Sequence, residues 1–349
     1  MPELPEVETI RRGLAKLIIN KAVSSVQVFD SAKSFPNDPQ TVEQFLYDAA
    51  ITNVRRRAKV LLIDLSTDYT LVIHLKMTGQ LVFIADLSLP SSKIPSGFSR
   101  RSLGAGPVSR STPSSENLSD SSEAGVSPPT ATRLEPNSEL RFGAGHPNDS
   151  LISKLPDRST RVAIEFIDGS HLYFNDQRKF GWIKLFPTLE VPNIEFMQKV
   201  GPEPLEDSFT SKEFISRIRR RNNTTIKAAI LDQTVLAGVG NIYADQSLWG
   251  ANIHPATRVR DVTDEQLALL LDEIKYVMNL SIEKGGSTDR NYVNAEGKRG
   301  SYIDFARVFR KEGNPCPRHT DVLVEKTKVA GRGTHICPAC QGVALSVKS

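Results

Sequence analysis

The first residues of the chain combine a nucleophile with two acids. Pro2 follows Met1, Glu3 comes directly after it, and Glu6 follows three residues later. If Met1 is removed, Pro2 presents a secondary amine whose pKa is low enough for a useful fraction to be neutral at physiological pH. Such an amine condenses with an aldehyde to give an iminium, while neighbouring carboxylates move protons. Proline and glutamate are also typical of a helix start, and the pattern by itself favours that structural interpretation.

Near the other end of the chain, three cysteines and a histidine have the spacing of metal ligands. Cys316-x2-His319 is followed, after 17 residues, by Cys337-x2-Cys340. Paired ligands at this spacing predict one tetrahedral structural zinc ion with a Cys3His set, against the alternative of three free thiols and an incidental histidine. His335 is a rival ligand, but its separation from Cys337 suits strand alternation better than chelation.

Two basic clusters and a glycine turn suggest contact with phosphate. The turn Gly238-Val239-Gly240-Asn241 precedes a predicted helix, where glycines permit close approach and helix-start amides attract phosphate. The basic residues are Arg217, Arg219, Arg220, Arg221 and Lys227 in one cluster and Arg55, Arg56, Arg57 and Lys59 in the other. Each cluster also fits a simpler interpretation, a solvated charged face or a charged sheet edge.

The elements that must position these groups follow from hydrophobic periodicity. The pattern predicts an N-terminal helix, then a series of strands, then helices from Gly201 onwards. The helix is indicated by Val7, Ile10, Leu14, Leu17 and Ile18, and the strands by residues 22–28, 59–65, 71–75, 79–84, 162–167, 171–174 and 181–186. Together they predict an α+β fold, in which an antiparallel β-sandwich carries the N-terminal helix and a helical domain follows.

The stretch from about Leu87 to Asp157 differs from the rest in composition. Ser, Pro, Gly and Thr dominate it, so it cannot bury enough apolar surface to offset its ordering entropy. We predict a disordered insertion between two strands, with a tolerated loop expansion favoured over a partner-binding segment.

Composition narrows the class of protein. A chain of 349 residues holds two domains plus a small module, and its net charge of +4 favours a polyanionic partner. All three cysteines lie after residue 315, which argues against a disulfide framework. No apolar run reaches membrane-spanning length and the acidic N-terminus is not typical of a signal peptide, so we expect a cytoplasmic protein without membrane contact. We also expect it to be a monomer.

Four separated motifs resemble one family. The string Pro2-Glu3-Leu4-Pro5-Glu6-Val7-Glu8-Thr9 closely resembles the start of bacterial formamidopyrimidine-DNA glycosylases. Gly240-Asn241-Ile242-Tyr243-Ala244 resembles their helix–two-turn–helix, and the cysteine pattern resembles their zinc ribbon, with His319 where the family normally has cysteine. His74–Gly79 and Asp176–Gly181 resemble the loops that replace an extruded base, although Gln177 and Lys179 depart from the usual proline and arginine.

The resemblance implies a bifunctional DNA glycosylase and AP lyase. Its substrates would be oxidised purines such as 8-oxoguanine and formamidopyrimidines, and abasic sites, in double-stranded DNA. Pro2 would form a Schiff base, Glu3 and Glu6 would handle protons, and Lys59 would support catalysis at the active-site phosphate. The implied DNA-binding residues are Met77, Arg178 and Phe180, which would fill the gap left by the extruded base, and Lys227, Asn241 and Arg332, which would hold phosphates.

The resemblance also implies domain boundaries and leaves rival functions. The catalytic sandwich would span residues 1–186, a linker 187–200, the helical domain 201–300 with a lesion-capping loop at about 285–302, and the zinc ribbon 301–349. One rival is an endonuclease VIII-like glycosylase for oxidised pyrimidines, against which Leu4-Pro5-Glu6-Val7 and the full set of gap-filling residues argue. The other is a non-catalytic zinc-ribbon protein that binds distorted DNA.

Overall fold

The computed structural model describes residues 2–29, 33–86, 139–145, 153–287 and 302–342. The helices in this part of the chain are α1 (Leu4–Ile18), α2 (Pro39–Leu46), α3 (Glu195–Lys199), α4 (Ser211–Ile218), α5 (Ile226–Leu231), α6 (Asn241–Gly250) and α7 (Asp264–Glu283). The strands are β1 (Val23–Val28), β2 (Ile51–Arg57), β3 (Val60–Leu65), β4 (Tyr69–His74), β5 (Gly79–Asp86), β6 (Glu139–Gly145), β7 (Thr160–Phe166), β8 (His171–Asp176), β9 (Trp182–Pro187), β10 (Glu325–Val329) and β11 (Arg332–Ile336).

The strands β1 to β9 form two antiparallel sheets that enclose one apolar core. One sheet has the order β1-β7-β8-β5-β6 and the other β2-β3-β4-β9. Alternate residues of both sheets, such as Ile63, Phe83 and Phe174, are buried between them, as a sandwich requires. The predicted α+β sandwich is therefore confirmed, although neither β2 nor α2 was predicted.

Helix α1 joins this sandwich to the helical domain. Its residues Val7, Ile10 and Leu14 pack into the sandwich core, whereas Leu4 packs into the core formed by the later helices. A Cβ at Gly238, which has a φ of +82°, would lie 2.4 Å from Leu4 Cδ1, so the turn lies directly against the start of α1. The first turn of α1 is thus held between two domains.

Strand β6 corrects the predicted extent of the insertion. Glu139–Gly145 lies inside the predicted disordered stretch, yet it pairs with β5 along its whole length, and Phe142 is buried against Gly13 of α1. The sequence does not indicate this strand clearly, because its only large apolar residues, Leu140 and Phe142, stand among glycines and charged residues. Residues 87–138 and 146–152 of the predicted insertion lie outside the described residues.

The helical domain and the C-terminal hairpin are in direct contact. The start of α7 is fixed as predicted, because Thr263 and Gln266 exchange hydrogen bonds between side chain and backbone. Strands β10 and β11 pair antiparallel as a two-stranded ribbon, and β11 packs on α6. Among the described helices, none has the length and hydropathy needed to cross a bilayer.

Candidate active site

Glu3 lies in a closed space between the starts of α1 and α6. Its carboxylate is buried, and Oε1 accepts a hydrogen bond from the backbone nitrogen of Ile242 at 3.3 Å. A Cβ at Gly240 would lie 2.0 Å from Glu3 Cδ, so glycine is required there for the two helix starts to approach. Glu3 Oε2 is buried without a hydrogen-bond partner, which leaves one oxygen available to a reacting group.

Burial makes Glu3 suitable as a proton donor. Desolvation, assisted by the nearby Glu6, raises the pKa of Glu3 to about 7, although Lys59 opposes the shift. A carboxyl group with this pKa retains its proton in much of the population at neutral pH, as general acid catalysis requires.

Glu6 is held by four hydrogen bonds that fix both of its oxygens. Oε2 accepts from the backbone nitrogen of Glu3 at 2.8 Å, so the second acid faces the chain segment next to Pro2. Oε1 accepts from the Tyr243 hydroxyl at 2.5 Å and from both the backbone nitrogen and the hydroxyl of Ser287, at 2.9 and 2.6 Å. Ser287 lies in the first part of the predicted lesion-capping loop, and residues 288–301 of that loop lie outside the described residues.

Lys59 extends into the same space from the turn between β2 and β3. Its Nζ donates to Val239 O at 2.9 Å, which links it to the glycine turn before α6. Burial lowers the pKa of Lys59, although Glu3 and Glu6 oppose the shift. The adjacent residue Ala58 has a φ of +52°, an uncommon conformation for alanine, and its backbone nitrogen donates to the buried carboxylate of Glu203.

The arginines before Lys59 do not form a solvated sheet edge, which is the simpler of the two interpretations that their sequence allows. They lie in β2, and each has an acidic partner. Arg55 binds Asp64, while Arg56 and Arg57 bind Glu203 at 2.8 and 3.1 Å. The cluster therefore joins the sandwich to the segment that leads into the helical domain.

Met77, Arg178 and Phe180, which we call the wedge, come together on the surface. Met77 and Phe180 are 45% and 53% exposed, unusual for large apolar side chains in a folded protein. Arg178 Nη1 lies 3.5 Å from Met77 Sδ, and its Cζ is 5.0 Å from the ring centroid of Phe180. The structure thus brings together three residues from two distant loops, with apolar surface and one cation facing outwards.

His74 belongs to this site, and sequence analysis did not assign it. Its Nδ1 accepts from the backbone nitrogen of Lys76 at 3.0 Å, which makes Nε2 the protonated nitrogen of a neutral ring. Burial, with a contribution from Lys76 and Lys59, lowers the pKa of His74 to about 3. The feature of the sequence that could have identified His74 is its position at the end of a strand, β4, three residues before Met77.

Asn241 and Arg332 lie where α6 meets the ribbon. Asn241 Nδ2 donates to Gly333 O at 3.0 Å, while its Oδ1 is buried without a partner. Arg332 is exposed at the first position of β11, next to Gly331 at the hairpin turn. Its charge contributes to lowering the pKa of Lys59, so it lies close enough to the acids and lysine to belong to the same site.

Lys227 does not occupy the surface position that phosphate binding would require. It is fully buried, and its Nζ donates to Asp245 Oδ1 at 2.6 Å, to the Thr334 hydroxyl at 2.7 Å and to Gly333 O at 3.1 Å. Its charge is neutralised inside the protein, where it fastens the ribbon to α6. The predicted phosphate contact of Lys227 is therefore corrected to a structural one.

The upstream basic cluster is also largely paired within the protein. Arg217, Arg219 and Arg221 bind Glu213, Asp264 and Asp232 respectively. These ion pairs show that most of the cluster stabilises the surface of the helical domain.

The four predicted metal ligands converge at the base of the ribbon. Ligand atoms of Cys316, His319, Cys337 and Cys340 all lie within 4.8 Å of one another. Cys316 Sγ is 3.6 Å from Cys340 Sγ, close to the separation of about 3.8 Å that a tetrahedral site with metal–sulfur bonds of about 2.3 Å requires. Three thiolates and an imidazole therefore fit zinc, with His319 in the set.

His335 is excluded from this set by its contacts. Its Nδ1 lies 3.2 Å from Asp245 Oδ2, and its Nε2 lies 3.3 Å from Glu312 Oε2. Both ring nitrogens thus face carboxylates, in agreement with the strand alternation that the sequence indicates.

The site contains Pro2, which becomes an N-terminal imino acid if Met1 is removed, together with two buried carboxyl groups and a lysine at the junction of two domains. The exposed wedge, the neutral ring of His74 and the exposed Arg332 lie next to these groups. Such a set suits covalent attack on a sugar carbon within a polyanion whose stacked base must be displaced.

Comparison with known proteins gives a consistent result along the chain. Residues 1–183 match the model of the formamidopyrimidine-DNA glycosylase N-terminal domain, and residues 200–292 match that of the formamidopyrimidine-DNA glycosylase H2TH domain. A formamidopyrimidine-DNA glycosylase of Pediococcus pentosaceus is 35% identical, with 98% of this chain and 99% of the relative aligned. One from Pelotomaculum thermopropionicum is 33% identical, over 98% and 100% of the two chains.

Solved structures give the same picture. A Lactococcus lactis Fpg in complex with DNA containing an abasic site is 28% identical, with a TM-score of 0.72 over 97% of this chain and 99% of that one. A MutM in complex with DNA containing carbocyclic 8-oxo-G is 28% identical, with a TM-score of 0.71 over 98% and 100%.

Proposed function

This chain belongs to the formamidopyrimidine-DNA glycosylase family, and from that membership and the geometry of the site we infer which residues carry its reaction. The protein is a DNA glycosylase of base excision repair with AP lyase activity. Its substrates are oxidised purines, such as 8-oxoguanine and formamidopyrimidines, in double-stranded DNA. The observation that carries the assignment of residues is the buried, partly unpartnered carboxyl of Glu3 directly beside Pro2.

Pro2 is the nucleophile in the proposed reaction, once Met1 has been removed. Its nitrogen forms a bond to C1′ of the damaged nucleotide as the glycosidic bond breaks; the base leaves with the electron pair of that bond and takes up the proton that the amine loses. Glu3 gives its proton to the ring oxygen, so that the C1′–O4′ bond opens and an iminium remains. The iminium acidifies the C2′ proton, and its removal allows elimination first of the 3′ and then of the 5′ phosphate.

Glu6 and Lys59 assist this reaction in different ways. Glu6 faces the Glu3 backbone and is held by Tyr243 and Ser287, so it is placed to orient the reacting groups and to accept a proton. Lys59 brings a cation to the phosphate next to the lesion. Asn241, Arg332 and His74 present further donors to the DNA backbone, which positions the strand without reading its sequence.

The wedge displaces the base that leaves the stack. Extrusion of a nucleotide opens an apolar slot in the duplex, which Met77 and Phe180 can enter while Arg178 holds the partner base. Because both apolar side chains are already exposed, the protein needs no rearrangement to present them.

A comparison of lesions tests the substrate class. Excision from matched duplexes is expected to be at least about tenfold faster for 8-oxoguanine than for an oxidised pyrimidine, a discrimination within the range that one pocket supplies. The opposite order would assign the chain to the endonuclease VIII type, and binding without excision of either lesion would support a non-catalytic protein.

Zinc at Cys316, His319, Cys337 and Cys340 stabilises the ribbon, in our proposal, and takes no part in the chemistry. The three cysteines pack with Trp249 of α6, so the metal would fix β11, and with it Arg332, against the active site. We expect one zinc ion per chain, lost in His319→Ala and retained in His335→Ala. Zinc content measured by atomic absorption checks this, and undiminished zinc in His319→Ala would move the fourth ligand elsewhere.

We also propose that the protein works as a monomer in the cytoplasm, bound to DNA. Its net charge of +4 and the exposed Arg332 support attraction to the polyanion. The predicted domain boundaries, 1–186, 201–300 and 301–349, remain part of this proposal.

A further inference from the structure

The carboxylate of Asp176 is buried between the two loops that carry the wedge. Asp176 is the last residue of β8 and is fully buried. Its Oδ1 accepts from the backbone nitrogen of Arg178 at 3.1 Å, and its Oδ2 accepts from the backbone nitrogen of Gly181 at 2.6 Å. One side chain therefore fixes both ends of the segment from Arg178 to Gly181, which contains Phe180.

The same carboxylate holds the loop that carries Met77. The hydroxyl of Thr78, the residue after Met77, donates to Asp176 Oδ1. The Thr78 oxygen in turn accepts from the backbone nitrogen of Arg178 at 3.2 Å. Thus the loops after β4 and after β8, 98 residues apart in the chain at this contact, are joined through a single carboxylate.

Asp176 itself is anchored in the rigid part of the sheet. Its backbone nitrogen donates to Ser159 O at 2.8 Å, and its backbone oxygen accepts from Arg161 Nε at 2.8 Å. It also lies opposite Gly79 in the register between β5 and β8. The sheet thereby fixes the position of the carboxylate. A residue that positions a functional site must itself be held in this way.

Both loops need such an anchor because their backbones are unfavourable by themselves. Lys76 and Lys179 have φ values of +52° and +58°, the left-handed region that residues other than glycine rarely adopt. Conformations of this kind persist where surrounding contacts determine them. Hydrogen bonds from backbone nitrogens to a buried carboxylate are strong enough to do so.

We propose that Asp176 is a positioning residue that sets the spacing between Met77, Arg178 and Phe180, and thereby determines how well the protein extrudes a base from a duplex. This inference rests on the proposed function, because the wedge matters only where a nucleotide must leave the stack. Asp176 touches neither sugar nor base in this proposal. Its effect is therefore confined to substrates whose target nucleotide is stacked.

The test compares a stacked with an unstacked target in Asp176→Asn. The amide has nearly the same size as the carboxylate, but its –NH2 group replaces one of the two oxygens that accept from backbone nitrogens. A hydrogen bond that anchors the loops is therefore lost. We expect excision of 8-oxoguanine from a paired duplex to fall at least about tenfold, since small misplacement of a positioning group costs up to about 10²-fold. Borohydride trapping on a single-stranded abasic oligonucleotide, which needs no extrusion from a duplex, is expected to change less than about twofold.

Asp168→Asn is the matched control. Asp168 stands at the other end of β8, in the turn after β7, and its Oδ1 likewise accepts from a backbone nitrogen, that of Ser170 at 3.0 Å. It is far along the strand from the wedge, so this variant is expected to keep the ratio of the two activities seen in the wild type. An equal loss of both activities in Asp176→Asn, or unchanged excision from the duplex, would overturn the proposal.

Thr78→Val provides a second measurement, needed if Asp176→Asn does not fold. It removes the hydroxyl that links the two loops and leaves the carboxylate in place. A selective loss of duplex excision in this variant supports the proposal, and wild-type excision from the duplex contradicts it. If the wild-type protein itself neither excises nor traps, the proposed function fails, and that result is distinct from a failure of the Asp176 inference.

Discussion

Replacing Glu3 with glutamine is expected to lower base excision by about 10³-fold, within the range of about 10² to 10⁴ that general acid–base catalysis contributes. Glutamine has nearly the same size and still accepts the hydrogen bond from Ile242, but it has no proton to give to the ring oxygen. The sugar of an abasic site opens to an aldehyde by spontaneous equilibration, without loss of a base, so borohydride trapping there should continue. Single-turnover excision of 8-oxoguanine and trapping on an abasic duplex, measured on one preparation, check the separation.

The pH dependence of excision gives a second test of Glu3. Because burial raises the pKa of Glu3 to about 7, its acidic form predominates below that pH and is lost above it. Wild-type excision should therefore decline as the pH rises through this range, while the Glu3→Gln variant should lack this decline. Glu8→Gln, which changes a carboxylate in the next turn of α1 that pairs with Arg11 and Arg12, is the matched control. Equal losses of excision and trapping in Glu3→Gln would contradict Glu3 as the acid.

Pro2→Gly is expected to lower excision by at least about 10²-fold, because covalent catalysis depends on the nucleophile that the terminus presents. A secondary amine forms a permanently charged iminium, whereas the primary amine of glycine forms an imine that must first gain a proton. Glycine also lacks the pyrrolidine ring that ties the nitrogen to the side chain, so the nitrogen is held less firmly. Rates of excision and of borohydride trapping on the lesion duplex should fall together.

Pro5→Ala serves as the control for this variant. It changes the other proline at the start of α1 and leaves the terminal nitrogen unchanged, so excision should stay close to that of the wild type. Full excision activity in Pro2→Gly would show that the Pro2 amine is not the nucleophile.

Much of this fold was predictable because it follows from local periodicity. The apolar spacing in α1 and the apolar runs in β3, β5 and β7 are clear in the sequence, and their predicted limits differ from the observed ones by a few residues. Strand β6 was not predictable in this way, because two of its seven residues are glycines and only two large apolar side chains, Leu140 and Phe142, pack on the core. Its structure depends on pairing with β5, which is a tertiary contact.

The site was predictable to the extent that its residues occur in contiguous motifs. The wedge and the four metal ligands come together as their motifs indicate. Lys227 was misassigned because nothing in its local sequence indicates the buried Asp245, 18 residues later, that neutralises its charge. Asp176 and Glu203 were missed for a similar reason, since each acts through backbone donors that only the fold brings within reach.

The most direct test of the account is to locate the covalent bond. The protein is incubated with an abasic duplex and borohydride, the adduct is digested, and the modified peptide is identified by mass spectrometry. We predict that the reduced sugar is attached to the nitrogen of Pro2 at the mature N-terminus. Attachment to a lysine such as Lys59, or normal strand scission by a protein that retains Met1, would contradict it.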